Sequence, residues 1–404
     1  MTDVDAESWV LTTEPGRALL ARVEGTDRPG PRELARWRKD ADGAQVAAAL
    51  RLAVGRVKGT RKFERADRMW LDPVGLEQAT SEPVARHKAR RFGGECGGGT
   101  VVDLCAGVGG DSLALAARGA NVLAVDSDRG MCRRLIWNAG AYDVSGRVLA
   151  IQARAERFPI PAGARVHVDP DRRAGRDRRA RGIGDYSPGL EVLRSIVATA
   201  PGGAIKLGPA SDFEAWFGGP EFEVELTSLA GECKEATVWF GGLRTARRRA
   251  TRLPENVSWT ERDGKAGADA PLTPLSSWIF DPDPALIRAG LLGSFADAHG
   301  LGRCAAGVDY LTGDRFLATP FLAAFEVIKA LAVDLKGLRR LVAERGLGPL
   351  EIKTRGLDLT PEALRKHLRP LGTDNPATLL LMGGKGPARA VLARRASGGS
   401  VPRE

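Results

Sequence analysis

The chain contains no run of about 18 consecutive apolar residues, so no membrane-spanning helix is expected. Its opening, MTDVDAESWVLTTEPGRALL, is acidic and lacks a basic n-region, so no secretory leader is expected. Cysteine is scarce. Cys96, Cys105, Cys132, Cys233 and Cys304 are odd in number and widely spaced, and they form no CxxC pair. With only four histidines beside them, no zinc-ligand spacing arises. That usage fits a reducing cytosol, and a cytoplasmic protein without a metal is the expectation. Internal repeats and a collagen-like period are also missing; the glycines and prolines sit in scattered turns. Neither a Walker A sequence nor a GxGxxG after a first strand occurs, which argues against a nucleoside triphosphate or a dinucleotide.

What remains is a chain of 404 residues, long enough for two compact domains and a helical preface. A hydrophobic fraction of 43% excludes a wholly disordered protein. The formal net charge of +10 favours a polyanionic partner, although Arg-, Ala- and Gly-rich composition can also reflect genome bias. Composition leaves the oligomeric state open.

Residues 1 to about 95 read as mostly helical, with Leu34, Trp37, Val46 and Leu50 on an imperfect apolar face between Pro31 and Leu50. Ser81-Glu82-Pro83 reads as a cap with a proline in the first helical turn. The Gly-rich stretch from Gly93 to Gly99 is a flexible joint. From Thr100 the pattern alternates. Strands are expected at Val101–Leu104, Asn121–Asp126, Arg147–Ile151, Ala164–Val168 and Gly203–Leu207, with helices between them. Such alternation predicts a mostly parallel sheet covered on both faces. Two last strands, Glu221–Leu226 and Glu235–Phe240, are expected to run antiparallel. Beyond Gly242 the sequence predicts helices near Pro284–Ala298, Phe321–Ala330, Leu335–Gly346 and Pro361–Leu368. Strands are expected at Pro349–Lys353, Ala377–Met382 and Ala388–Ala393.

The sharpest local signal is Val102-Asp103-Leu104-Cys105-Ala106-Gly107-Val108-Gly109-Gly110. A strand carrying an acid feeds a glycine-rich turn that opens a helix. Glycines allow the backbone to approach a ligand closely. Asp103 would repel a pyrophosphate but suits the amino end of a sulfonium cofactor. Asp126, in Val125-Asp126-Ser127-Asp128, stands at the end of the second strand, where a carboxylate can accept both ribose hydroxyls. A glycine cluster alone is weak evidence, but Asp103, Gly107, Gly109 and Asp126 in successive strand–helix units form a strong pattern.

These residues, continued through Asp111, resemble the first motif of class I S-adenosylmethionine-dependent methyltransferases, particularly the RNA cap guanine-N2 methyltransferase group. The chain is similar to bacterial members carrying a THUMP-like C-terminal domain, on Leu350 to Gly356, Pro361 to Arg365, Gly372 and Ala377-Thr378-Leu379. The resemblance implies an α/β fold: a Rossmann-like sheet, a helical N-terminal region, and a smaller α/β THUMP-like C-terminal domain. The expected divisions are 1–95 helical, 96–245 catalytic, 246–325 linker and helical connector, 326–396 THUMP-like, and 397–404 a disordered tail. It further implies S-adenosyl-L-methionine as cofactor, bound by Asp103, Cys105, Ala106, Gly107, Gly109, Gly110, Asp126, Ser127, Arg154 and Ala155. Many members have an Asp where Arg154 stands, to recognise the adenine amino group; a backbone carbonyl or Glu156 is the substitute here.

The fourth strand runs into Asp169-Pro170-Asp171-Arg172-Arg173, at the position of the family's Asp/Asn/Ser-Pro-Pro-aromatic catalytic motif. Asp169, Pro170 and Asp171 are therefore the catalytic candidates, with Asp169 orienting a target amine. Asp171 is the alternative carboxylate, and a cap or an ion pair is the structural alternative for Asp169. The motif's aromatic is absent, leaving Tyr186 or Trp137 as stacking candidates, each equally readable as a core residue. Arg172, Arg173 and Arg176 open a dense basic run, and with Lys206, Lys353 and Arg355 they are candidate RNA contacts. The expected activity is methyl transfer to RNA, with a base exocyclic nitrogen in tRNA or rRNA as acceptor. A catalytically inactive RNA-binding protein, or a methyltransferase for proteins or small molecules, remains the alternative.

Overall fold

The computed structural model describes residues 2–26, 28–93, 98–172, 186–370, 372–384 and 386–396. The candidate contacts Arg173 and Arg176 and the tail 397–404 lie outside the described residues, as does the side chain of Arg172. Two compact units are formed, one by residues 1–222 with 236–245 and the other by 223–235 with 246–404.

The first unit begins with helices at Asp3–Thr12, Glu14–Val23, Pro31–Trp37 and Gly43–Gly59. Their starts are written in the sequence. Thr2, Thr13 and Asp42 each accept a hydrogen bond from the backbone N–H of the third residue of the following helix. Each such cap contributes about 1 kcal/mol. The imperfect apolar face between Pro31 and Leu50 is two helices, broken between Arg38 and Asp42. Val10, Leu19, Val46, Leu52 and Trp70 pack into one buried cluster. Glu7 is buried too, and its Oε2 accepts from Trp70 Nε1 and Arg134 Nη2, each at 2.7 Å.

Short helices at Pro73–Gln78 and Glu82–Phe92 lead to the sheet. Its strands are β1 (Thr100–Leu104), β2 (Asn121–Asp126), β3 (Val148–Gln152) and β4 (Arg165–Val168). A two-residue ribbon, β5 (Asp171–Arg172) with β6 (Tyr186–Ser187), precedes β7 (Gly202–Leu207). β8 (Phe222–Leu229) follows, and β9 (Glu232–Gly241) returns to the first unit from Ala236. The order β9-β7-β4-β1-β2-β3 is parallel except for β9, which runs antiparallel to β7. Helices at Gly110–Ala117 and Arg129–Ala141 are the crossovers after β1 and β2. This is the doubly wound arrangement in which ligands bind at the carboxyl ends of the strands.

In the second unit β8 pairs in parallel with β10 (Arg248–Leu253), which pairs with β11 (Val257–Thr260). A seven-stranded sheet follows, from β12 (Trp278–Pro282), β13 (Gly302–Arg303), β14 (Leu311–Gly313), β15 (Leu322–Ala332), β16 (Leu350–Arg355), β17 (Ala377–Gly384) and β18 (Gly386–Arg395), in the order β13-β14-β12-β15-β18-β17-β16. Helices Leu335–Glu344 and Pro361–Leu368 contribute Leu338, Val342, Leu364 and Leu368 to a core with Ile352, Leu379 and Leu392. Two expectations are corrected here. The helix foreseen near Phe321–Ala330 is β15, hydrogen-bonded to β12 on one side and β18 on the other. Its Leu- and Ala-rich run has no decisive period, and pairing on both edges settles it as strand. The helix foreseen over Pro284–Ala298 is two, Pro284–Arg288 and Leu292–Ala298, parted at Gly290 with φ +70°.

Candidate functional site

At the carboxyl end of β1 the chain turns sharply. Cys105, Gly107 and Gly109 all have positive φ (61°, 55° and 99°), and Gly109 caps the helix Gly110–Ala117. Gly110 serves packing instead: a β-carbon there would lie 2.8 Å from the carbonyl oxygen of Thr80. Asp126, at the end of β2, ties the two turns together. Its Oδ2 accepts from the Gly107 N–H at 2.9 Å and its Oδ1 from the Asp128 N–H at 2.8 Å. Burial raises the Asp126 carboxyl above its ordinary value, opposed by those two donors.

A cavity of about 320 Å³ opens above this turn. Gln78, Thr80, Gly107, Asp126, Asp169 and Asp171 are among the residues that line it. A second cavity of about 460 Å³ shares Cys105, Asp126, Ser127 and Asp171, and extends to Arg154, Ala155 and Glu156. Arg154 is exposed there, with its Nε 3.4 Å from Glu156 Oε2. The first cavity is markedly acidic, because Asp103, Asp111, Asp126, Asp128, Asp169 and Asp171 all contribute to its lining. A phosphate-bearing ligand would be repelled, whereas a ligand with a positive sulfur and an ammonium group is attracted. The residues present therefore fit S-adenosylmethionine better than a dinucleotide.

Asp103 does not stand free for such a ligand. Its Oδ1 lies 2.7 Å from His167 Nδ1 and its Oδ2 accepts from Ser112 Oγ, and all three residues are buried. Next to this pair, Lys88 Nζ lies 2.9 Å from Asp111 Oδ1, and Thr80 Oγ1 donates to Asp111 Oδ2 at 2.7 Å. Burial opposes a charge on His167, yet Asp111 and Asp103 outweigh it and raise the imidazole above its ordinary value. Against the same burial, Lys88 and His167 hold the Asp111 carboxyl low. Lys88 escaped the sequence reading, but a signal was there. Val84, Ala85, Ala89 and Phe92 are buried on the same helix, and Lys88 falls on their stripe.

Asp169 and Asp171, which the sequence placed after the fourth strand, both line this cavity, with Pro170 between them in the chain. Lys206, a candidate RNA contact, places its Nζ 2.6 Å from Asp169 Oδ2. Tyr186 is a core residue: it is buried and its hydroxyl accepts from the Gly208 N–H at 3.0 Å. Trp137 donates to the Arg68 carbonyl and packs edge-on against Trp70. In the second unit Lys353 and Arg355 both reach Asp281, at 2.8 and 2.7 Å, and Arg355 also lies over the Tyr310 ring.

Comparison with known proteins gives the geometry a family. Two relatives named as uncharacterized S-adenosylmethionine-dependent methyltransferases, from two strains of Mycobacterium tuberculosis, are each 34% identical over 337 residues. The alignment covers 80% of this chain and 88% of each relative. The chain belongs to the S-adenosylmethionine-dependent methyltransferases. Residues 98–169 of this methyltransferase match the RNA cap guanine-N2 methyltransferase family model, and residues 322–395 match a THUMP domain-like model. Its fold is similar to that of a Porphyromonas gingivalis protein provisionally named a methyltransferase, with a TM-score of 0.74, 19% identity and 98% coverage of both chains. The Rossmann-like catalytic sheet, the helical N-terminal region and the THUMP-like C-terminal domain are thus all present, and S-adenosylmethionine is the cofactor. Among the described residues no helix is long and apolar enough to cross a membrane.

Proposed function

We propose that this methyltransferase methylates RNA, with an exocyclic amino group of a base as the acceptor. The observation that carries the reading is the Asp169-Pro170-Asp171 corner, which ends β4 and faces the same acidic cavity as the glycine turn. Further support comes from the match of residues 98–169 to an RNA cap guanine-N2 methyltransferase model, the THUMP-like match, and the net charge of +10. Flipping a base out of a helix would bring its amino group to such a corner.

In this reading Asp126 holds the ribose hydroxyls of the cofactor. The backbone of Cys105, Ala106 and Gly107 would hold its amino-acid end, and Ser127, Arg154 and Ala155 would hold its base. Bound there, S-adenosylmethionine supplies a methyl group on a positive sulfur. Asp169 accepts a hydrogen bond from the target amine and holds its lone pair in line, so that alignment carries much of the rate. With the cofactor bound, the transfer would exchange its S–CH₃ bond for an N–CH₃ bond on the target amine and leave a neutral thioether. The nitrogen gives up one proton, which Asp169 passes to solvent. Asp103 acts from beneath, holding the turn through Ser112 and His167. In sequence the basic run at Arg172, Arg173 and Arg176 comes directly after Asp171, and its charge suits RNA phosphates.

The test is calorimetry with S-adenosylmethionine, followed by transfer of tritiated methyl from it to total RNA of cells lacking the enzyme. Label in RNA that disappears with Asp169→Ala, at unchanged cofactor affinity, supports the reading. Label entering only protein or small molecules would overturn it.

A further inference from the structure

We propose that Lys206 is a positioning residue for methyl transfer: by engaging one oxygen of Asp169 it fixes that carboxylate and leaves the other to receive the target amine. The inference rests on the reading of Asp169 given above. Lys206 sits near the end of β7, the strand beside β4, and its Nζ is 2.6 Å from Asp169 Oδ2. The same Nζ is 3.5 Å from the carbonyl oxygen of Gln78, at the end of the helix that walls the cavity. The ammonium is therefore held from two elements at once. Among the described residues Asp169 Oδ1 has no hydrogen-bond partner, and the side chain keeps 29% exposure. One carboxylate oxygen is anchored and the other is presented.

The surroundings explain why an anchor is needed. Burial raises the Asp169 carboxyl, Lys206 opposes it most strongly, Asp111 raises it further and Lys88 lowers it. Asp171 and the Cys105 thiol also face this group. A protonated Asp169 would present a donor where the amine needs an acceptor, so an adjacent cation favours the form that accepts. Charge alone could come from several places. The short contact to one oxygen gives orientation as well, because a carboxylate pinned at Oδ2 cannot rotate that oxygen toward substrate. The amino acid sequence offers Lys206 as an RNA contact, and the pairing of β4 with β7 brings it to Asp169.

The test compares the wild-type enzyme with Lys206→Met and Lys206→Arg. Carbon-13 labelling of aspartate carboxyls, with Asp169→Asn to identify the resonance, follows the ionisation of Asp169 without any substrate. Calorimetry follows S-adenosylmethionine, and tritiated methyl transfer to total RNA gives the pH–rate profile. In Lys206→Met the Asp169 titration should rise by about one pH unit or more, and the acid limb of kcat should move up with it. The kcat should fall by about 100-fold at neutral pH while cofactor affinity changes by less than about threefold. Lys206→Arg, which keeps the cation, should recover most of the loss. An unmoved Asp169 titration in Lys206→Met would overturn the proposal. So would an Arg variant as inactive as the Met variant while equally folded. If wild-type enzyme labels no RNA, the proposed substrate fails, yet the carboxyl titration still reports whether Lys206 controls Asp169.

Discussion

His167 Nδ1 lies 2.7 Å from Asp103 Oδ1 inside the sheet, one residue on β4 and the other on β1. The two strands pair so that Asp103 stands opposite His167 in register. An acid that family resemblance assigns to the cofactor is thus held first by its own sheet.

A pH dependence of stability follows. His167 has a folded-state pKa raised above the ordinary value of 6.5, so the folded state binds a proton more tightly than the unfolded chain. Its contribution is complete below that ordinary value and is lost as pH rises through the folded value. Urea denaturation of the wild type should show stability declining from about pH 6.5 upward, and His167→Gln should flatten that limb.

Lys88 offers a second test. It is buried beside Asp111, so Lys88→Met leaves a buried carboxylate without its ammonium and should cost about 3 kcal/mol in urea unfolding. Asp111→Asn added to Lys88→Met should recover part of the loss. A double variant as unstable as the sum of the two single ones would show that the pair is not coupled.

Asp126→Ala should weaken S-adenosylmethionine binding by about 10- to 100-fold, measured by calorimetry. The side chain also receives the Gly107 N–H, so the variant loses the strut between the two turns. Asp126→Asn, which keeps an acceptor, should bind between the two.

Two glycines in the turn should fail differently. In Gly110→Ala the new β-carbon meets the Thr80 carbonyl, and the protein should lose about 1–3 kcal/mol in thermal unfolding. Gly107→Ala has open space around it but a φ of +55°, so its unfolding loss should be smaller, about 1 kcal/mol. Its cofactor affinity should fall more than that of Gly110→Ala.

Much of this was legible in the chain itself. The run Val101–Leu104, buried on both faces, announced a central parallel strand, and Asp126 closing the next such run located the second turn. Asp169 and Asp171 followed from their place after the fourth strand. What stayed hidden depended on partners distant in sequence. The sequence offers Lys206, Lys353 and Arg355 as RNA contacts, and gives no sign that Lys206 reaches Asp169 or that Lys353 and Arg355 both reach Asp281. The Phe321–Ala330 segment was misread because its composition suits either period, and only hydrogen bonds from β12 and β18 decide it.

The grip of Glu7 on Arg134 has a bearing on how the chain is made. Glu7 is synthesised 127 residues before the arginine that satisfies it. During translation the first helix therefore emerges with an acid that meets Arg51 and Trp70 first, and its pairing is complete only once the helix following β2 has left the ribosome. A gene trimmed to begin at residue 96 would strand Arg134 in the same way from the other side. The opening helices are then part of what any expressible enzyme must contain.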